Sequence, residues 1–181
     1  MNEVASKVTS VSRRRPGEGR YAKAEREQRW LLSELPQGIT GKREILDQYL
    51  IGTTLRIRRV ESDNEVVYKL AQKVRPNLAN PERVNITNIY LAFDEYVQLS
   101  AMASHDISKC RWEYAHQSLS YAIDEFGGRL AGLLLAEVEI GDTDPRLTTP
   151  DFAVTEVTSD NRYSGGWLAE ATGSELRDLI G

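Results

Sequence analysis

From residue 20 onward the chain alternates apolar and polar side chains with a period of two, the signature of half-buried strands. The alternation predicts strands over 22–32, 48–60, 65–74, 84–92, 107–115, 118–126 and 131–140, with a short one near 154–158. Asp63 and Asn64 supply a hairpin turn, as do Gly127 and Gly128. The segment 92–103 switches to helical spacing, with Tyr96, Leu99 and Met102 or Ala103 on one face and Asp94 near its start. Residues 173–180 predict a second short helix, capped by Thr172 or Ser174. Pro76 and Pro81 mark 74–84 as a loop. Many short strands with tight turns imply a closed barrel or a sandwich. Residues 1–19 lack periodicity and read as a disordered or loosely attached leader, so that 20–181 forms the domain.

The polar half of the alternation is unusual, because it is charged in strand after strand. "AEREQRW" sets Glu25, Glu27 and Arg29 on one face, and "TLRIRRV" sets Arg56 and Arg58 opposite Leu55 and Ile57. Lys69 and Lys73 are in phase, and so are Lys109 and Arg111. In "LLLAEVEIG", Glu137 and Glu139 oppose Ala136, Val138 and Ile140. Like charges two apart on a strand lie about 7 Å from each other and repel by roughly 2 kcal/mol at an effective dielectric near 20. A solvated edge strand tolerates this, but the stretch around Glu137 and Glu139 is too apolar for an edge. Burying those carboxylates requires cations or a metal as partners. Strands that are apolar outside and charged inside suit a barrel with a wet lumen. Carboxylates alone suit a hard divalent ion such as Mg²⁺ or Mn²⁺, and Arg with Lys suits phosphate oxygens.

Bulk composition narrows the setting. With 28% charged residues and a net charge of −4, nothing global points to nucleic acid or an anionic membrane. The single cysteine, Cys110, fits a reducing cytoplasm, and the apolar run 130–140 is interrupted by glutamates, so no membrane span is expected.

Taken in order, "EREQRWLL", "DQYL…TTLRIRR", "VVYKLAQK", "TNIYL", "SKCRWEY", "YAIDEFGGRLAGLLLAEVEI" and "EVTSDNRYS" resemble the CYTH family, the triphosphate tunnel metalloenzymes. The resemblance covers nearly everything after residue 20. It implies a mainly β fold, an eight-stranded antiparallel barrel forming a tunnel with a few flanking helices. It also implies that Glu25, Glu27, Glu137 and Glu139 hold one or two divalent metals, and that Asp124 lines the tunnel and binds metal or orients water. Arg56, Arg58, Lys69 and Arg111 would grip triphosphate oxygens, with Lys73, Lys109 and Arg162 as further contacts. Arg29 departs from the motif, which usually closes with Lys; it keeps the charge but stays protonated. The implied activity is metal-dependent hydrolysis of inorganic tripolyphosphate or another small triphosphate. A class IV adenylyl cyclase and a non-catalytic triphosphate-binding module are the alternatives. The expected partner is the small substrate, with the chain a monomer or homodimer.

Overall fold

The computed structural model describes residues 16–77 and 79–180. Among the described residues nine strands run in chain order: β1 Lys23–Leu31, β2 Thr40–Leu50, β3 Leu55–Glu61, β4 Val66–Val74, β5 Arg83–Leu91, β6 Ser104–His116, β7 Leu119–Phe126, β8 Leu134–Glu139 and β9 Thr155–Glu156. Helix α1 (Phe93–Ser100) follows β5, and α2 (Gly165–Glu170) and α3 (Gly173–Ile180) end the chain. Neighbouring strands pair antiparallel in the order β5-β4-β3-β2-β6-β7-β8-β1, and β1 also pairs with β5, so eight strands close into a barrel. Closure leaves no long edge open to another chain. β1 divides its pairing: Lys23–Arg26 face β5, while Glu27–Leu31 face β8. Beyond the end of β5, β9 takes over that flank of β1 at Trp30 and Leu31.

The strand expected over 48–60 is two strands, β2 and β3, with a turn at 51–54 that places Gly52 at a φ of +74°. The first half of β2 escapes an alternation reading because its inner face mixes Arg43, Ile45, Asp47 and Tyr49, while Lys42 and Glu44 stand outside. Gly41, with a φ of +61°, lies within the register shift between Thr40 and Arg43. The short segment 165–170 is a helix that a Gly-Gly start hides. The other expected strands and both expected helices are present with ends moved by a few residues. The leader residues 1–15, with Arg13 to Arg15, lie outside the described residues. Gly17 is buried, donating its N–H to Gln72 and accepting from Asn85.

Two apolar clusters hold the barrel. On the outer wall, Trp30, Tyr121, Ile123, Ala136 and Val138 of β1, β7 and β8 are covered by Leu147, Phe152 and Ala153. This is the apolar half of the "LLLAEVEI" pattern. The second cluster lies partly inside: Ile107, Phe126 and Leu135 point inward and pack with Tyr163, Leu168, Leu176 and Leu179. The segment from Tyr163 to α3 therefore floors one end of the lumen. Each fully buried apolar side chain contributes about 1.5–3 kcal/mol. No helix among the described residues is long and apolar enough to cross a membrane.

Candidate active site

Directly opposed residues in an antiparallel pair share a face, and the register sorts the inward side chains. Glu27 and Arg29 of β1 oppose Glu139 and Glu137 of β8; Asp124 of β7 opposes Arg111 of β6; Asp47 of β2 opposes Arg58 of β3. These rows converge on a cavity of about 390 Å³. Its wall contains Glu25, Glu27, Arg29, Arg56, Arg58, Lys73, Lys109, Arg111, Asp124 and Glu137, and its floor Tyr163, Ser164, Gly165 and Gly166.

Inside, charges of opposite sign are tied together. Arg29 donates through Nε to Glu137 at 2.7 Å and through Nη1 to the Tyr163 carbonyl at 2.9 Å, linking β1, β8 and the floor. Arg111 forks onto both oxygens of Asp124 at 2.6 Å and reaches Glu137 at 2.9 Å. Lys109 donates to the same Asp124. Arg58 forks onto Asp47 at 2.6 and 2.7 Å, with Arg56 Nε 3.4 Å away. Lys73 holds Glu27 at 2.7 Å. Bidentate Arg–carboxylate pairs are strong and directional, so the grip is set before any ligand enters.

The electrostatics follow from this pairing. Burial resists the charge on Asp47, but Arg56 and Arg58 outweigh it and hold the carboxyl well below the ordinary range. Asp124 and Glu137 are likewise lowered against burial, by Arg111 with Lys109 and by Arg29 with Arg111. Burial also opposes Arg29, yet Glu137 and Glu27 raise it above its usual value. Lys109 goes the other way. Burial, helped by Arg111 and Arg58 against the pull of Asp124, brings it down to about 8. Burial raises the Tyr49 phenol.

Three expected site residues stand apart from the cavity. Lys69 shares a face with Arg58 but lies over the Tyr90 ring at 5.1 Å. Glu139 is exposed and held by Lys23 at 3.0 Å, and Arg162 is exposed and paired with Asp160. Conversely, Asp47, Tyr49, Arg75 and Glu170 line the cavity without having been singled out. The signal for Asp47 and Tyr49 was their two-residue spacing in "ILDQYL". Nothing local marked Arg75 or Glu170, because the turn after β4 and the path of α2 bring them in.

No family model matches the chain. A stretch of 57 residues is 37% identical to an inorganic triphosphatase of Acetivibrio thermocellus; it spans 32% of this chain and 36% of that protein. Two crystal structures of NE1496 share the barrel at 22% identity with a TM-score of 0.58. One describes NE1496 as an inorganic triphosphatase and the other as a hypothetical protein. The likeness covers 81% and 82% of this chain and 98% and 95% of theirs. The CYTH resemblance is borne out.

In this barrel Glu25, Glu27 and Glu137, three of the expected metal-holding carboxylates, reach the cavity. Their all-oxygen chemistry suits a hard cation. Among the described residues no three acidic, His or Cys side chains converge as a ready-made cluster. Glu27 and Glu137 are engaged by Lys73, Arg29 and Arg111, while the cation nearest Glu25 is the exposed Lys23 at 3.4 Å. Of these three, Glu25 is thus the carboxylate most open to an ion.

Proposed function

We propose that this protein is a metal-dependent hydrolase of small triphosphates, with inorganic tripolyphosphate as the leading substrate. The observation that carries the reading is a single lumen in which forked guanidiniums and carboxylates are already aligned by β-sheet register, next to a closed floor. Arg56, Arg58, Lys73, Lys109 and Arg111 neutralise phosphate oxygens, replacing part of their present carboxylate contacts. Charge spreads over the transferred phosphoryl group in the transition state, and preorganised cations lower the cost of that spread. Arg29 orients Glu137 and, at 4.0 Å, Glu27. Glu25, Glu27 and Glu137 would hold Mg²⁺ or Mn²⁺, which would supply a compact double charge beside the phosphoryl oxygens. Of the remaining acidic candidates, Asp124 serves Lys109 and Arg111, and Glu139 stays outside with Lys23.

The test is phosphate release from tripolyphosphate, ATP and thiamine triphosphate with Mg²⁺ or Mn²⁺. Release from tripolyphosphate should be the fastest, should stop with chelator, and should fall about a hundredfold or more in Glu137→Gln. Cyclic AMP as the product from ATP, or tight tripolyphosphate binding without turnover, would replace the hydrolase reading.

A further inference from the structure

Six of the cations in the cavity wall have a carboxylate within ion-pair reach: Arg29, Arg56, Arg58, Lys73, Lys109 and Arg111. Arg75 also lines the cavity, yet among the described residues no carboxylate lies within 4.0 Å of it. It follows Val74, the last residue of β4, and precedes Pro76. A residue before proline is confined to extended backbone, and proline cannot extend the ladder. Arg75 therefore continues the alternation set by Ala71 and Lys73, both of which face the lumen. Its Nε donates to the Pro81 carbonyl at 3.1 Å, which fastens the head of the side chain to the returning loop. Among the described residues its two Nη groups have no hydrogen-bond partner. Burial, and then the positive charge of Arg29, work against its own charge, with Glu27 and Glu137 offsetting them only in part. A half-buried guanidinium, held at one nitrogen and open at the other two, keeps two donor groups available to a ligand in the cavity.

We propose that Arg75 is an additional substrate-contacting residue, whose free Nη groups donate to phosphoryl oxygens of a bound triphosphate. The assignment rests on the triphosphatase reading above. An arriving anion would meet no carboxylate to displace at Arg75, whereas at every other lumen cation it competes with one. Arg75 should therefore contribute strongly to affinity and be sensitive to the charge of the ligand.

The experiment compares wild type, Arg75→Gln and Arg75→Lys. It measures tripolyphosphate and pyrophosphate binding by calorimetry, KM and kcat for tripolyphosphate with Mg²⁺, and thermal melting. Loss of a charge-assisted hydrogen bond predicts roughly tenfold or greater weakening of tripolyphosphate binding in Arg75→Gln, seen as a higher KM. Arg75→Lys should recover most of it, and both variants should melt close to wild type. Arg75→Gln that binds like wild type overturns the assignment. So does Arg75→Lys that is as weak as Arg75→Gln, since the defect would then come from the lost loop contact at Pro81. Wild type that fails to bind tripolyphosphate at all overturns the triphosphatase reading, and the assignment with it.

Discussion

Asp47 keeps a charge at 1% exposure because Arg58 holds both its oxygens and Arg56 stands beside them. The pair arranges the guanidiniums that face the lumen, so Asp47 is a positioning residue for the anion grip. Removing one partner of a buried ion pair leaves the other uncompensated, so Asp47→Asn should cost about 3–5 kcal/mol in urea unfolding at pH 7. The same residue predicts a pH dependence. Its folded carboxyl titrates below the ordinary value of about 3.9, so the unfolded chain takes up the proton first. The stabilisation is complete above that unfolded value and is lost as the pH falls through the lower folded one. Asp124 and Glu137 add acid sensitivity of the same sign to wild type and variant alike. The gap in stability between wild type and Asp47→Asn should thus narrow between pH 5 and pH 3. A constant gap across that range would mean that the Asp47 charge does not support the fold.

At the scale of elements, the floor is where packing meets the site. α2 starts at Gly165 behind Ser164, whose hydroxyl accepts from the Trp167 N–H, and Arg129 holds the far end of α2 through the Leu168, Ala169 and Ala171 carbonyls. Tyr49 reaches from β2 to the start of this helix. A Cβ on Gly165 would fall on the Tyr49 hydroxyl and lie 3.0 Å from its ring carbon, so neither side chain nor helix can stay in place. Overpacking of this kind costs about 1–3 kcal/mol. Gly165→Ala should lower the melting temperature and, by pushing Tyr49 toward Arg56, weaken tripolyphosphate binding in calorimetry. A variant that loses stability but binds normally would separate the floor from the site. α1 makes a useful contrast. It buries no residue and rests on Tyr68 through Phe93 and Tyr96.

Over the whole molecule, the closed ladder lets one chain hold so many charges at short range. The barrel wall fixes the backbone, the outer cluster and the floor supply apolar burial, and carboxylates shared between neighbouring cations offset the lumen charges other than that of Arg75. A ligand that binds only the folded barrel stabilises it by mass action, about 2.7 kcal/mol at a hundred times its dissociation constant. For a chain of this size that corresponds to a rise of roughly 5–10 °C in melting temperature. Tripolyphosphate with Mg²⁺ should produce such a shift in scanning fluorimetry and chelator should reduce it. An unchanged melting curve with saturating tripolyphosphate and Mg²⁺ would argue against a lumen site.

The sequence by itself determined which side chains share a face. Period-two alternation is a local property of extended backbone, so Glu25 with Glu27 and Arg29, Arg56 with Arg58, and Lys109 with Arg111 were legible without a fold. It also set the mainly β class, because no competing helical period runs through those segments. It did not resolve β2 from β3, because β2 carries polar groups on both faces and Gly52 makes the turn between them without a proline. The expected total of eight matched the barrel only because that merger was offset by counting β9, which lies outside the closed ring. Tertiary structure alone decided who partners whom. Asp47 became the anchor of two arginines, Lys73 was drawn to Glu27 while Lys69 turned to Tyr90, and Glu139 was left outside with Lys23. These outcomes depend on register, closure and the path of residues 157–180 across the barrel end. Those are set by long-range packing, which the local alternation of a strand does not encode.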